Sequence, residues 1–341
     1  VVLAAYWGAQ VYLDMNPVLR FRGNEFEYLT SSAFTVSQAW NEHGYIPLWQ
    51  PYFNAGEPLI DYGFSTVLNP FITIPAIMFG AINGLKISLF LHVIIAGLGG
   101  WTLARVLGLG LPARLLLAFL MIGRGNGPGF LDEGLYQLAV SQMYMPFALA
   151  GAVALVRFPR ERYPIILMGA SLALLLWAGN IYFILPSVMV VGSLPLIYSF
   201  HVDRVSGKFR FAIDWKLLIR AGVAIGFTVL LMSALLLPLI LQNDRLAGHI
   251  PLAPWEWEAR QRDLVYTTKQ LFTGSLDSFY NGELAESPAN FYTYVAPLWF
   301  VLLIFVVLPP IRPLHRGPFT KNVRFWIFSL FWAVFFITWA A

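Results

Sequence analysis

The segment AGVAIGFTVLLMSALLLPLIL, residues Ala221–Leu241, indicates the fold class, because its 21 consecutive residues include no charged side chain. About 20 mostly apolar residues suffice for an α-helix to cross the hydrocarbon core of a bilayer. The whole chain of 341 residues has this character: 58% are hydrophobic, 12% are charged, and the mean hydropathy is +0.66. Soluble domains carry roughly 25% charged residues. The composition therefore excludes a soluble or disordered protein and a nucleic-acid-binding role, and predicts an all-α, polytopic transmembrane helix bundle.

Nine apolar segments are predicted to span the membrane within one transmembrane domain, residues 1–341. They are Val1–Leu13, Ile87–Ala104, Pro112–Ile122, Leu138–Val156, Ile165–Trp177, Tyr182–Phe200, Ala221–Leu241, Tyr292–Leu308 and Phe325–Ala341. The first and last of them reach the ends of the sequence, which predicts a fragment of a longer chain. The absence of cysteine excludes disulfides and thiolate metal sites.

The charged residues predict which loops share a side of the membrane. If the apolar segment 69–83, with its two prolines, is an interfacial or re-entrant helix rather than a span, four loops lie together: Arg105–Arg114, Arg157–Arg162, His201–Arg220 and Pro309–Arg324. They hold 14 of the 22 Lys and Arg residues but only 3 of the 18 acidic residues. By the positive-inside rule these loops are cytoplasmic. Two long loops containing interfacial helices, residues 14–86 and 242–291, are then extracytoplasmic.

Candidate catalytic residues are carboxylates in the predicted outer loops, since no motif of a soluble nucleotide-binding, zinc-protease or serine-hydrolase enzyme is present. They are Glu25, Glu27, Asp132 and Glu133, with Glu57 and Asp61 nearby as candidate substrate ligands. Carboxylates at the lipid boundary can act as general bases or hold a divalent cation, Mg²⁺ or Mn²⁺, that bridges a phosphate. Composition alone favours the simpler interpretation that they are solvated loop charges, because acidic residues belong on the outer face.

Candidate phosphate-binding cations lie at the same predicted level of the membrane. They are Arg20, Arg22, Arg124 and Arg245. Arginine can hold a phosphate through two parallel hydrogen bonds, although contact with lipid headgroups explains these residues equally well. His92 lies within a predicted span and is interpreted as a residue packed in the bundle rather than as a metal ligand.

Several motifs in a fixed order resemble a known class of membrane protein. The most specific is PLWQPYFNAGEPL, Pro47–Leu59, which is preceded by RGNEFEYLTSSAF and followed by MYMPFALAGAVALVR and LLLWAGNIYFILP. Together with the first span and its long outer loop, they resemble the GT-C superfamily of polytopic glycosyltransferases. Within that superfamily the chain looks most like the YfhO-type membrane proteins.

The resemblance implies a glycosyltransferase of the prokaryotic plasma membrane that uses a polyprenyl-phosphate-linked sugar at the extracytoplasmic side. It also implies an aspartate directly after Gly23, where this chain has Asn24. An amide cannot act as a general base, so Glu25 or Glu27 is expected to take that role, with Asn24 among the substrate ligands. The alternative is a non-catalytic accessory subunit that packs against other membrane subunits. A transporter is disfavoured because the spans contain almost no ionisable residues.

Overall fold

The computed structural model describes residues 24–52, 56–60, 65–123, 131, 134–179, 181–205, 208–241, 328 and 331–332. The helices are α1 (Asn24–His43), α2 (Pro70–Phe79), α3 (Ala81–Leu107), α4 (Leu111–Ile122), α5 (Tyr136–Ser141), α6 (Met145–Arg157), α7 (Tyr163–Trp177), α8 (Ile181–Ser199) and α9 (Trp215–Leu241). A 3₁₀ turn, Gln142–Tyr144, joins α5 to α6. The strands are β1 (Trp49–Gln50), β2 (Glu57–Pro58), β3 (Phe200–Val205) and β4 (Lys208–Ile213).

The predicted helical membrane fold is confirmed. By length and composition, α3, the continuous segment Tyr136–Arg157 and most of α9 could each cross a membrane, and α2, α4, α7 and part of α8 are shorter apolar helices. The six predicted spans between residues 87 and 241 coincide with helices α3 to α9.

The other three predicted spans are described only in part or not at all. Val1–Leu13 and Tyr292–Leu308 lie outside the described residues. Within Phe325–Ala341 the structure describes only Phe328, Phe331 and Trp332, which are helical.

The predicted interfacial segment 69–83 divides at Gly80. Asn69 caps α2 by accepting a hydrogen bond from the Phe71 N–H (3.0 Å), and α2 ends at Phe79. Gly80 has φ +77°, a conformation that favours glycine, and α3 begins at the next residue. The interfacial position of α2 stays a prediction.

The predicted loop His201–Arg220 is mostly regular structure, which the all-α prediction missed. Strands β3 and β4 form an antiparallel hairpin in which Phe200 pairs with Ile213 and Val205 with Lys208. The first four residues of each strand alternate apolar with charged or polar residues, which is the period of a strand rather than a helix. The charge count of this loop indicates its side of the membrane but not its secondary structure.

Arginines bring three of the predicted inner loops together at one end of the bundle. Arg220, in α9, donates to the carbonyls of Leu155 and Phe158 (both 3.1 Å) at the end of α6. Arg157 donates to the carbonyl of Val106 near the end of α3. Basic side chains thus satisfy carbonyls that helix ends leave without intrahelical partners.

Glycines allow the helices to approach closely where the bundle is tightest. A Cβ on Gly151 of α6 would lie 2.5 Å from the Met168 nitrogen of α7, and one on Gly84 of α3 would lie 2.5 Å from the Ala76 Cα of α2. On the other face of α7, Thr228 of α9 donates to the Gly169 carbonyl (3.2 Å). Small residues at helix crossings are the usual packing solution in membranes, where the lipid is as apolar as the side chains.

A fully buried polar network, here called the His92 network, links α2, α3 and the 3₁₀ turn. The His92 Nδ1 lies 2.7 Å from the Ser88 carbonyl, which can only accept, so this nitrogen carries the ring proton. The Nε2 then accepts from the Tyr144 hydroxyl (2.8 Å), which in turn accepts from the Asn69 amide (3.1 Å). Both ring nitrogens of His92 are therefore engaged in structural hydrogen bonds.

Candidate functional site

The candidate site is built around the N-terminal ends of α1, α3 and α5, which converge at the end of the bundle opposite Arg157 and Arg220. The rings of Phe26 and Tyr136 lie 6.3 Å apart. The Tyr136 hydroxyl donates to the Leu85 carbonyl (3.0 Å), and all three residues belong to one apolar cluster that also contains Leu131. We call this convergence the Tyr136 node.

The node connects the two pairs of predicted catalytic carboxylates through their neighbours in the chain. Phe26 lies between Glu25 and Glu27, whereas Leu131 and Tyr136 flank Asp132 and Glu133. The packing of Phe26 against Tyr136 therefore brings two segments, more than one hundred residues apart in sequence, to one place.

A buried lysine lies next to the node. Lys86 is 4% exposed and follows Leu85, whose carbonyl accepts the hydrogen bond from Tyr136. Sequence reasoning placed Lys86 at the end of an outer loop, whereas it lies in the second turn of the 27-residue helix α3. The available signal was its position: it is the only charged residue between Asp61 and Arg105. An ammonium group at this depth is costly unless it is matched by negative charge or hydrogen bonds.

Two further polar atoms near the node were not foreseen. The Gln137 Oε1 and the Trp177 Nε1 are buried without a hydrogen-bond partner in the described part of the chain. Gln137 is 2% exposed and adjoins Tyr136, while Trp177 ends α7, whose last turn shares the apolar cluster of the node through Leu175. Buried polar atoms in native proteins are nearly always paired, so unpaired ones at a helix end suit a polar ligand.

The predicted acidic residues of α1 are only partly described. Asn24 and Glu25 are the first two residues of α1, but their side chains lie outside the described part of the structure. Glu27 is exposed. Its neighbours Phe26 and Tyr28 are buried, so the start of α1 has one face in the bundle and one facing outward.

Glu57 has a structural partner. The buried Gln50 amide donates to the Glu57 carboxylate across the β1–β2 pair, and its oxygen accepts from Ser32 (3.0 Å) and Ser31 (3.2 Å) of α1. These bonds attach the PLWQPYFNAGEPL motif to α1. Gln50 was not singled out from the sequence, although it belongs to that motif.

Aromatic residues around this motif are exposed. They are Phe34, Trp40, Tyr45, Trp49 and Tyr52. Trp49 packs over Gly56 so closely that a Cβ there would lie 2.7 Å from its Nε1. Anchoring at the headgroup level and stacking on a sugar ring both remain compatible with this exposure.

The remaining predicted site residues lie outside the described residues. They are Arg20, Arg22, Asp61, Arg124, Asp132, Glu133 and Arg245. Their roles stay predictions. Within the described ranges there is no group of three or more His, Asp or Glu residues that could hold a metal ion.

Comparison with known proteins gives one structural similarity. No family model and no curated protein matches the chain. Among solved structures, the chain is similar to the archaeal oligosaccharyltransferase AglB from Archaeoglobus fulgidus, in complex with an inhibitory peptide and a dolichol-phosphate. The identity is 16%, the TM-score is 0.36, and the match covers 99% of this chain but 45% of that one. The YfhO-type resemblance stays a prediction.

Proposed function

We propose that the protein is a membrane glycosyltransferase that transfers a sugar from a polyprenyl-phosphate-linked donor to an acceptor at the extracytoplasmic side. The observation that carries the proposal is the Tyr136 node. Phe26 packs on Tyr136, and Tyr136 is hydrogen-bonded to the peptide group that leads into the buried Lys86. A cation and the segments that carry four carboxylates thus converge at one end of an apolar bundle. A lipid-linked phosphosugar needs this combination of positive charge, general base and apolar surroundings.

The proposed chemistry is a displacement at the anomeric carbon. The Glu25 carboxylate takes the proton of an acceptor hydroxyl, and the resulting oxygen attacks the anomeric carbon. The bond from that carbon to the phosphate oxygen breaks, and its electron pair leaves with the polyprenyl phosphate. Glu27 is the second candidate for the base, because it lies in the same first turns of α1.

The leaving phosphate needs a positive partner while its charge develops. Preorganised cations in a water-poor site stabilise this negative charge strongly, because little solvent screens the interaction. Lys86 is the described residue that fits this role, and Arg20, Arg22, Arg124 and Arg245 are the further candidates. The Gln137 oxygen and the Trp177 N–H, both buried and unpaired in the described structure, suit hydroxyls of the sugar or acceptor.

A divalent cation is not required by any step of this scheme. The residues proposed to hold Mg²⁺ or Mn²⁺ are Asp132 and Glu133, with Asp61 and Glu57 on the neighbouring loop. Glu57 is bonded to Gln50, whereas Asp61, Asp132 and Glu133 lie outside the described residues. In the activity assay, a loss of turnover with a chelator that Mg²⁺ restores would assign these carboxylates to a metal, whereas unchanged turnover would leave Asp132 and Glu133 to position the acceptor.

The second candidate function is an accessory subunit of a larger membrane complex. The observation that favours it is Asn24, the first residue of α1, at the position where the GT-C resemblance implies an aspartate. An accessory subunit would transfer no sugar and would co-purify with other membrane proteins.

The deciding experiment measures release of polyprenyl phosphate by the protein reconstituted in lipid vesicles. Glu25→Gln removes the proposed base and should lower turnover about 10²–10⁴-fold. Glu42→Gln is the matched control, because Glu42 is an exposed carboxylate in the last turn of the same helix. Equal turnover in both variants and the parent removes Glu25 from the base role. No transfer by the parent protein, with stable co-purification of other membrane subunits, establishes the accessory function instead.

A further inference from the structure

We propose that Ser88 is a positioning residue for sugar transfer, which holds the Tyr136 hydroxyl against α3 and so fixes the Tyr136 node. The role rests on the function proposed above. Ser88 contacts neither the substrate nor the reacting atoms in that scheme, and it acts through Tyr136.

Ser88 lies on the face of α3 that both buried polar regions share. Leu85, Ser88 and His92 are spaced by three and four residues, which places them on one side of a helix, and each is 0% exposed. The Tyr136 hydroxyl contacts this face twice: it donates to the Leu85 carbonyl (3.0 Å), and the Ser88 hydroxyl is its second hydrogen-bond partner. Tyr136 is also 0% exposed, so bulk water does not compete for these bonds.

The neighbours of the Ser88 hydroxyl determine which way its hydrogen bonds run. A carbonyl only accepts, so the Tyr136 proton points to Leu85 and the Tyr136 oxygen accepts from Ser88. The His92 Nδ1 carries the ring proton, so it can only donate toward the Ser88 hydroxyl oxygen, at the longer distance of 3.3 Å. Through Ser88, the His92 network and the Tyr136 node therefore form one continuous chain, in which neighbouring hydrogen bonds strengthen one another.

The Ser88 hydroxyl differs from other helical hydroxyls of the chain in the partner that it bonds. Thr30, Thr35 and Ser199 donate to the carbonyl four residues earlier in their own helices, at 2.7–2.9 Å. Such local bonds compete with the helix backbone and do not join helices. Ser88 instead bonds Tyr136 of α5, so its hydroxyl connects two helices.

The chain attaches the segment 136–144 to α3 at both of its ends. At one end Tyr136 is bonded to Ser88, and at the other end the Tyr144 hydroxyl donates to His92 (2.8 Å). Two attachments fix the rotation of the segment as well as its position. Because Phe26 packs on the Tyr136 ring, the Ser88 attachment also sets where the start of α1 meets α5.

The test begins with Ser88→Ala, which removes this attachment and keeps the carbonyls that accept from His92 and Tyr136. We expect kcat for release of polyprenyl phosphate to fall about 2–10-fold at unchanged donor KM, which is the effect of losing one hydrogen bond of ordinary strength. Ser88→Thr restores the hydroxyl and should restore kcat. Ser199→Ala is the matched control and should leave kcat unchanged, because the Ser199 hydroxyl is equally buried but bonds within α8.

A double-mutant cycle separates positioning from a general loss of packing. If Ser88 acts through the Tyr136 hydroxyl, Ser88→Ala should have no further effect on kcat or on the unfolding midpoint once Tyr136→Phe is present. Tyr163→Phe is the control partner, because Tyr163 is 44% exposed at the start of α7. Its effects should add to those of Ser88→Ala.

The outcomes distinguish this proposal from the proposed function. If the parent transfers sugar, additive effects of Ser88→Ala and Tyr136→Phe on kcat would refute the positioning role and leave the function standing. Equal kcat values for Ser88→Ala and Ser199→Ala would do the same. If the parent transfers no sugar, both the function and the positioning role are refuted, and the unfolding midpoints alone then show whether Ser88 joins the His92 network to the Tyr136 node.

Discussion

The His92 network and the Tyr136 node are both buried polar regions, and they differ in whether their polar atoms are paired. In the network, hydrogen bonds of 2.7–3.1 Å link His92 to the Ser88 carbonyl and to Tyr144, and Tyr144 to Asn69. Near the node, by contrast, the Gln137 oxygen and the Trp177 N–H are buried without partners in the described part of the chain. A satisfied network contributes stability, whereas an unsatisfied group is costly unless a ligand pairs with it. The comparison supports a folding role for the first region and the proposed binding role for the second.

The largest effect on stability is expected for Tyr144→Phe. The substitution removes the hydroxyl that joins His92 to Asn69, and both partners then lose a buried hydrogen bond. The expected loss is about 1–3 kcal/mol in the free energy of unfolding, read as a lower midpoint of thermal unfolding in detergent. Phe26→Leu is a useful comparison, because it changes packing at the node without touching the network. An unchanged midpoint for Tyr144→Phe would show that the network does not hold α2 against the bundle.

A smaller effect on stability, with a clear effect on activity, is expected for Gln137→Met. The side chains are similar in size, and the buried Oε1 has no partner to lose among the described residues. The exchange conserves volume, which a packed core tolerates best, and removing an unpaired buried oxygen offsets part of the cost of losing the amide. We expect an unfolding midpoint near that of the parent but a raised KM for the sugar donor or acceptor. Unchanged KM values for both substrates would remove Gln137 from the proposed site.

The smallest effect is expected for Glu57→Gln. An amide oxygen can replace the carboxylate oxygen that accepts from Gln50, so the β1–β2 attachment to α1 is retained. The midpoint of unfolding should stay unchanged, while Gln50→Leu should lower it, because Ser31 and Ser32 then lose their acceptor. If Glu57→Gln lowers turnover at constant stability, Glu57 contacts substrate as the sequence predicts. If turnover is also unchanged, its role is structural.

The sequence indicates the two segments that pack together at the Tyr136 node, but not the individual contacts between residues there. The sequence directed attention to the stretch around Glu25 and to the stretch around Asp132, and the packing of Phe26 on Tyr136 brings these stretches together. It did not identify Lys86, because a lysine at the end of an apolar segment looks like a loop residue until the start of α3 is known. Nor did it identify Gln137 or Trp177, since a polar atom is recognised as unpaired only when its neighbours are placed.

The sequence by itself determined that this is a helical membrane protein and where six of its helices lie, because a lipid solvent requires long apolar segments whose backbone groups are paired internally. It also determined which loops carry an excess of positive charge. Arginines such as Arg157 and Arg220 bring three of these loops to one end of the bundle. The tertiary structure decided the break at Gly80, the β3–β4 hairpin and the convergence at Tyr136. These features depend on contacts between residues far apart in the chain, which hydropathy and charge do not encode.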